Sequence, residues 1–383
     1  MTEATSLPEA AGAKPPRPQR AAQPLRIPWR ALSMVGSLAV IWVVFTITTD
    51  GTFLIPRNLS LLVRQMSVTS ILAIGMTMVI VAGQIDLSVG AMAGLLGAVA
   101  AMGYVKGEWP LGVAFAAAIA LGAVLGFVQG NLVARLRIPP FIVTLGGMLL
   151  FQGALLGATG GISTTPTKPF LFVGQTYTPA WIGWTLAGIV AAAFGITAAR
   201  TPGAGRWRWM GLGALTLGFT AVMNAYEGIP VPVLLVLVLA TMFWALARHT
   251  PFGRHLYAIG GNREAALYSG INIERHVVGV FTLMGLMAGV AGIVLTARVG
   301  SATSDAGRMM ELDAIAAAVI GGTSLLGGQG TVWGALLGAL VMASLDNGMS
   351  LMNTESFWQP IIKGTILVLA VGIDMASRQG RSR

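Results

Sequence analysis

The side chains of this 383-residue sequence offer little that could catalyse a reaction. The phosphate-binding pattern G-x-x-x-x-G-K-[ST] does not occur, so the chain itself is not expected to hydrolyse ATP. His249, His255 and His276 lie in or beside one polar segment without clustered carboxylates, which favours interfacial residues over a metal site. Cysteine is absent, which excludes thiolate metal sites and disulfides. The sequence therefore predicts a protein that is not an enzyme and that has neither a metal nor a cofactor.

Acidic residues inside apolar runs are stronger candidates for function, because an ionisable group at membrane depth is costly. Asp86 lies at the start of such a run, where it could cap a helix N-terminus or line a polar path, and the two interpretations are compatible. Three further acids occur in apolar runs: Glu311, Asp313 and Asp346. Asp346, beside Asn347, is the deepest of them, and one deep acid gives weak support to a proton-driven carrier.

The longest polar segment between apolar runs, 248–275, predicts a short helix. Gly260 and Gly261 break the chain, Asn262 suits the N-cap, and Gly270 suits the position after the C-cap. This helix would present small, aliphatic and aromatic side chains: Ala265, Ala266, Leu267 and Tyr268. Such a helix could dock into a groove of another protein, and the alternative is a surface helix that lies on lipid headgroups.

Composition indicates where these segments must lie. Hydrophobic residues make up 55% of the chain and charged residues 10%, against about 25% charged in soluble domains, and the mean hydropathy is +0.76. Most of the chain cannot face water, which excludes a soluble enzyme, a disordered protein and a fibrous protein. We expect an all-α integral membrane protein, a polytopic helical bundle of about 12 spans, because each span needs about 20 apolar residues. The predicted spans are 33–49, 59–81, 86–104, 111–134, 140–158, 179–198, 209–226, 230–247, 276–298, 311–326, 331–351 and 358–376.

The distribution of charged residues predicts how the chain divides into tails and a membrane domain, and which way it is oriented in the membrane. Residues 1–30 form a basic, proline-rich tail that is predicted to be disordered, 31–376 form the transmembrane domain, and 377–383 form a second basic tail. When the spans are taken to alternate across the membrane, most Lys and Arg residues fall in the segments on the same side of the membrane as the N-terminus. Positive segments face the cytoplasm, so both termini are expected there. Because these clusters account for the net charge of +10, the expected partner is the lipid bilayer and not nucleic acid. Arg64 and Lys363 lie near outer ends of spans, where long side chains can reach the interface.

Two glycine-rich strings point to a broken helix. They are Gly321-Gly322-Thr323 and Gly327-Gly328-Gln329-Gly330. So many glycines weaken a helix, and broken helices in membrane proteins usually line a cavity.

Several strings resemble one known family. Glu264-Ala265-Ala266-x-x-x-Gly270 is similar to the E-A-A-x-x-x-G loop of ABC importer permeases, in which a short coupling helix contacts the ATPase subunit. Gly253-Arg254-x-x-Tyr257-Ala258-Ile259-Gly260-Gly261-Asn262 resembles the ribose, xylose and galactose class in particular. Four more strings resemble that class in the expected order: Ile85-Asp86-Leu87-Ser88-Val89-Gly90, Pro140-Phe141-Ile142-Val143-Thr144-Leu145-Gly146, Glu311-Leu312-Asp313-Ala314-Ile315-Ala316-Ala317 and Gly321-Gly322-Thr323-Ser324-Leu325-Leu326-Gly327-Gly328.

The resemblance implies a permease subunit of an ATP-binding-cassette importer for a monosaccharide, in the bacterial inner membrane. It implies a core of ten spans in two inverted halves, and the extra hairpin at 179–226 is similar to the longer xylose-type permeases, which favours xylose. It further implies a homodimer, with an ATPase subunit docked on 253–271. A periplasmic or extracellular sugar-binding protein would contact the outer loops at 160–178 and 300–312.

The resemblance also assigns residues to these roles. The residues implied for ATPase coupling are Arg254, Tyr257, Gly260, Gly261, Asn262, Glu264, Ala265, Ala266 and Gly270. Sugars are neutral and rich in hydroxyls, so their path needs hydrogen-bonding groups and not net charge. The residues predicted to line it are Gln84, Asp86, Ser88, Thr144, Glu311, Asp313, Thr323, Ser324, Gln329 and Asn347.

Two alternatives remain open. The first is an ABC permease for another small solute, such as a furanone or a branched-chain amino acid. An amino-acid carboxylate would favour a cation or a helix N-terminus in the path, and no cation lies in the middle of a predicted span. The second alternative is an ion-coupled carrier or channel that acts without a partner.

Overall fold

The computed structural model describes residues 29–203 and 205–379, and this part of the chain is helical. The helices of the first half are α1 (Trp29–Thr48), α2 (Pro56–Val81), α3 (Val89–Val105), α4 (Leu111–Ala134), α5 (Pro140–Thr159), α6 (Lys168–Gln175), α7 (Ala180–Arg200) and α8 (Gly205–Asn224). The others are α9 (Val231–His249), α10 (Pro251–Gly261), α11 (Arg263–Tyr268), α12 (Ile273–Val299), α13 (Met310–Ile320), α14 (Val332–Leu351) and α15 (Trp358–Gln379).

Each predicted apolar run coincides with a helix. Within the described residues, seven helices are long and apolar enough to cross a membrane: α2, α4, α5, α7, α9, α12 and α14. The prediction of an all-helical, polytopic membrane protein is therefore confirmed, while the number of about 12 spans stays a prediction. The run at 311–326 differs from the others, because α13 ends at Ile320 and the glycine-rich segment 321–331 follows as turns.

The predicted tails are only partly described. α1 already begins at Trp29, so residues 29 and 30 of the predicted tail are helical, and 1–28 lie outside the described residues. At the other end α15 continues to Gln379, so 377–379 of the second predicted tail are helical and 380–383 lie outside.

Helix α12 lies at the centre and packs against α2, α3 and α4. Where α12 meets α4, Gly285 and Gly122 face each other, and a Cβ on either glycine would collide with the carbonyl oxygen of the other. In lipid, where helices gain nothing from leaving water, such close backbone approach supplies the dispersion that holds them together.

Helix α3 starts near the middle of the molecule and not at its end. Ala93 and Gly97 of α3 meet Gly292 and Thr296 of α12 in the same order, so the two helices run in parallel. Val89 lies about two turns before Gly97, which places the start of α3 level with the centre of the 27-residue helix α12. The 17 residues of α3 therefore cross only part of the distance that α12 crosses.

The first turn of α13 meets the first turn of α3 at this level. The side chain of Glu311 and the carbonyl of Gly307 occupy the space that a Cβ on Gly90 would need. α13 has 11 residues, about 16 Å, which is roughly half the thickness of a bilayer core. Two short helices thus start from one central point, each after a non-helical segment: 82–88 before α3 and 300–309 before α13.

Helices α7 and α8 form a hairpin, and they pack mainly against each other. Its two ends are joined by an antiparallel bridge between Tyr177 and Pro230. There the amide of Thr178 donates to the carbonyl of Ile229, and that of Val231 donates to the carbonyl of Thr176, both at 2.9 Å.

Candidate functional site

Helices α10 and α11 form a compact unit at one end of the molecule. The Asn262 Oδ1 atom accepts a hydrogen bond from the Ala265 amide at 2.9 Å, as predicted for an N-cap. Gly270 has φ +79°, and the amide of Ile271 closes the helix on the Ala266 carbonyl at 3.1 Å, as predicted for the C-terminal end. The predicted break at Gly260-Gly261 is wrong, because α10 runs through both glycines and the chain turns at Asn262.

The glycines allow a close contact instead of a break. A Cβ on Gly260 would collide with the carbonyl oxygen of Val81, the last residue of α2, and with the amide nitrogen of Gly328. That amide donates to the Val81 carbonyl at 2.9 Å, so α10, the end of α2 and the segment 321–331 meet at one point. We call this contact the three-way junction.

Tyr257 adds a second tie between α10 and the same segment. Its hydroxyl donates a hydrogen bond to the Gly330 carbonyl oxygen at 2.8 Å. Burial raises the pKa of the Tyr257 phenol, which keeps the hydroxyl protonated and therefore able to donate. The segment 321–331 is thus held against α10, and the segment 82–88 begins directly after the contact at Val81.

The other predicted coupling residues lie on the surface of this unit. Ala266 is buried against the body of the protein, which turns its neighbours outward. Leu267 is 60% exposed and Tyr268 is 88% exposed. Polar and small residues surround them and are exposed as well: Arg254, Gly261, Asn262, Glu264, Ala265 and Gly270. The α11 surface is therefore a small apolar face with a charged border, with no partner among the described residues.

A buried polar cluster lies where α3 begins. The Asp86 Oδ1 atom accepts hydrogen bonds from the Ser88 amide at 2.8 Å and from the Ser88 hydroxyl at 2.6 Å. The Gln129 amide of α4 donates to the Ser88 Oγ at 2.9 Å. Asp86 does not cap α3, since Ser88 is the N-cap residue, and the carboxylate instead closes a turn before the helix. Gln129 was missed by the sequence analysis, although a glutamine inside an apolar helix is a usable signal.

Several predicted path residues lie near this cluster or in the second non-helical segment. Gln84 and Thr144 are buried, and the Thr144 hydroxyl donates back to the Pro140 carbonyl within α5 at 2.9 Å. Ser324 is also buried, and its amide donates to the Gln329 carbonyl at 2.9 Å. Among the predicted path residues, three buried oxygens have no hydrogen-bond partner within the described part of the chain: Asp86 Oδ2, Glu311 Oε2 and Thr323 Oγ1. Such atoms are costly to leave unpaired and are therefore candidates to meet a polar ligand or water.

Asn347 lies apart from these groups. Its side-chain amide exchanges two hydrogen bonds with that of Asn58 in α2, at 2.8 and 3.0 Å. Both side chains are buried, so the pair fastens α14 to the start of α2.

Replacing Asn347 by leucine should therefore destabilise the protein. The Asn347→Leu change leaves the buried Asn58 Oδ1 atom without a donor, while Asn58 Nδ2 keeps its hydrogen bond to the Phe53 carbonyl at 2.8 Å. The loss should lower the free energy of unfolding by about 1–3 kcal/mol. The measurement is denaturant unfolding of the purified protein in detergent. The Asn58→Leu/Asn347→Leu double variant should recover part of the loss, because both polar groups are removed. A double variant that loses the sum of both single effects would contradict the pairing.

Asp313 and Asp346 belong to an ionic cluster. The Lys363 Nζ atom of α15 lies 3.0 Å from Asp313 Oδ2 and 2.8 Å from Asp346 Oδ1. The expectation that Lys363 extends to the interface is therefore wrong, because two half-buried carboxylates hold it inside. The argument against an amino-acid substrate, which relied on the lack of an inner cation, loses its basis.

Most of the chain is similar to proteins of known families. The sequence profile described as "Branched-chain amino acid transport system / permease component" matches residues 58–371. The xylose transport system permease protein of Escherichia coli K12 is 47% identical over 364 residues, which cover 90% of this chain and 92% of the relative. The corresponding protein of Haemophilus influenzae is 44% identical, with 90% and 96% covered. The ribose import permease protein of E. coli K12 is 38% identical, with 89% and 92% covered. No solved structure matches the chain.

Proposed function

Because this chain belongs to the family of branched-chain amino acid transport system permease components, we propose that it is the membrane subunit of an ATP-binding-cassette importer for a monosaccharide, xylose above others. The relatives named for xylose are 47% and 44% identical, and the one named for ribose is 38% identical. This order, and the length of the matches, support xylose over ribose and a sugar over an amino acid.

The exposed face of α11 is the observation that carries the coupling role. Leu267 and Tyr268 extend from a capped helix at one end of the molecule, where a partner could bury them. The partner is an ATPase subunit, because the chain lacks a nucleotide-binding loop of its own and the subunit is not itself an enzyme. Arg254 and Glu264 would supply charged contacts at the border of this face.

The three-way junction gives the docking a mechanical consequence. A push on α10 reaches Val81 at the end of α2 and Gly328 in the segment 321–331 at the same time. These contacts adjoin both non-helical regions that carry the predicted path residues. Closure of two ATPase domains would then switch the path between its outward-open and inward-open forms.

The path would be lined at the meeting of α3 and α13. Asp86, Ser88 and Glu311 lie there, and Thr323 and Ser324 lie beside the junction. Gln129 is added to the predicted set by its contact with Ser88. Hydroxyl and carboxylate groups of this kind can exchange hydrogen bonds with a sugar as it passes.

The remaining assignments complete this proposal. The transmembrane domain at 31–376 would cross the bacterial inner membrane about twelve times, as ten core spans and the hairpin at 179–226, with both termini in the cytoplasm. Two copies would form a homodimer. The segment 248–275 would face the cytoplasm, and a sugar-binding protein would contact the opposite end of the molecule.

Reconstitution tests the proposal. Proteoliposomes that contain this chain, its ATPase subunit and its sugar-binding protein should take up D-xylose only with ATP. Glu264→Arg should reduce that uptake at least about tenfold, because it reverses the charge at the border of the docking face, and membrane insertion should be unchanged. The Arg308→Glu variant is the control, because it reverses a charge far from the α11 surface. Binding of the ATPase subunit, measured separately from uptake, should be unchanged in this variant. Uphill uptake by this chain alone would contradict the proposal in favour of an ion-coupled carrier.

A further inference from the structure

We propose that a cavity in the half of the molecule opposite the α10–α11 unit is a weak monosaccharide-binding site in each copy of this chain. The cavity has a volume of about 290 Å³. It is lined by Arg298 near the end of α12, Asp313 in the first turn of α13, Asp346 of α14 and Gln65 of α2. α12 begins beside the α10–α11 unit and ends at Val299, whereas α13 begins at the central level, so the cavity extends from the centre of the molecule toward the end opposite that unit. The inference rests on the proposed function, because it names a place where the imported sugar would first bind the permease.

The carboxylates of the cavity are held in a position to accept hydrogen bonds. Lys363 takes one oxygen of Asp313 and one of Asp346. The second oxygen of each carboxylate has no hydrogen bond among the described residues, and both aspartates line the cavity. A carboxylate oxygen held in this way can accept from a sugar hydroxyl, and two carboxylates can accept from neighbouring hydroxyls of one ring.

Arg298 supplies the complementary donors. Its side chain lines the cavity, and its Nε atom is buried without a hydrogen-bond partner among the described residues. An unpaired buried donor is unfavourable, and a sugar oxygen would relieve that state. Because each hydroxyl both donates and accepts, one sugar can satisfy the carboxylates and the guanidinium together.

The charge balance favours a neutral ligand. Arg298 and Arg308 lie on the wall, Lys363 lies behind it, and the charge of Arg64 also acts on Arg298. These four positive charges nearly balance three acids: Asp305, Asp313 and Asp346. A cation or an anion would meet attraction and repulsion of similar size. A neutral polyhydroxyl molecule gains hydrogen bonds to charged groups without that repulsion, and such bonds are stronger than those between neutral groups.

The size and the apolar wall fit a single sugar ring. The volume is slightly below the range of about 300–1,000 Å³ that drug-sized ligands use, as expected for a smaller molecule. Leu295, Met310 and Ala343 line one part of the wall and can contact the C–H groups of the ring. None of the described lining residues is aromatic, so the stacking that tight sugar sites use is missing. We therefore expect weak, rapidly reversible binding, as suits a transport intermediate.

Ligand-observed NMR on the full-length protein in lipid nanodiscs, with D-xylose as the probe, tests this site. Wild-type protein should give saturable saturation-transfer signals with a millimolar Kd. Arg298→Gln and Asp313→Asn should each weaken binding at least tenfold. Arg308→Gln should weaken it at least threefold, and because Arg308 is exposed, this variant should keep its fold.

Asp50→Asn is the matched control, since Asp50 is an exposed acid outside the cavity whose φ of 49° also suits asparagine. Its D-xylose affinity should equal that of the wild type.

The outcomes separate this inference from the proposed function. Wild-type protein that transports D-xylose with ATP and its partners, but shows no saturable binding alone, would overturn the cavity site and leave the importer intact. Saturable binding that the cavity variants lose, in a protein that fails to transport, would support the site and reject the importer. If Arg308→Gln lost uptake but bound D-xylose as the wild type does, the cavity would instead be a socket for the binding protein, and the inference would be wrong.

Discussion

Gly260→Ala should reduce ATP-driven sugar uptake at least about tenfold. The added methyl group would collide with the carbonyl oxygen of Val81 and the amide nitrogen of Gly328, and neither backbone atom can rotate away. α10 must then lift off α2 and off the segment 321–331, which separates the three-way junction. Overpacking of this kind costs about 1–3 kcal/mol, and 1.4 kcal/mol corresponds to a factor of ten. Uptake in proteoliposomes measures the effect, and thermal unfolding reports whether the fold survives.

Gly261→Ala is the matched control. It lies one residue further on in the same helix, and a Cβ there meets no atom within 4 Å. Alanine also favours a helix over glycine by about 1 kcal/mol, so stability should be equal or slightly higher. Uptake should equal that of the wild type. If the two substitutions reduced uptake equally, the loss would come from general rigidity at the end of α10, and the junction would not transmit the movement.

The Leu267→Ser/Tyr268→Ser double variant should weaken binding of the ATPase subunit about a hundredfold or more. The two side chains are 60% and 88% exposed, so the fold does not need them and thermal stability should be unchanged. Burying each of them in a partner contributes about 1.5–3 kcal/mol, and exposed apolar anchors of this kind dominate interfaces. Affinity for the purified ATPase subunit, measured by surface plasmon resonance in detergent, reports the loss.

Ile162→Ser controls for the loss of exposed apolar surface. Ile162 is 71% exposed and lies beyond α5 at the other end of the molecule. Its substitution should leave the affinity for the ATPase subunit unchanged. Wild-type affinity in the double variant would mean that the ATPase docks elsewhere, and the role proposed for α11 would fail.

Local features of this protein could be predicted from the sequence, since they depend on neighbouring residues. The bounds of α4 follow from a run that is apolar apart from Gln129 and Asn131, and the ends of α11 follow from Asn262 and Gly270. α6 was missed because its eight residues are too few for a span. Contacts with other helices stabilise it: its own Phe170 is fully buried and packs against Tyr104 of α3 and Phe115 of α4.

Contacts between distant residues could not be predicted. Asn58 and Asn347 pair across 289 positions, and Lys363 reaches Asp313 across 50. Nothing near Lys363 in the sequence distinguishes an inner ion pair from a side chain that extends to the interface. For the same reason the glycines at 260 and 261 suggested a break, while only the packed structure shows which surface they approach.

The bridge between Tyr177 and Pro230 brings the two ends of the α7–α8 hairpin together, so the hairpin is an insertion with a single attachment point. The chain leaves the bundle and returns to it at one point, and between these ends the hairpin packs mainly on itself, with a smaller contact between α8 and α2. For the experimentalist, the same site is a natural place to insert a fluorescent reporter or a rigid fiducial for electron microscopy.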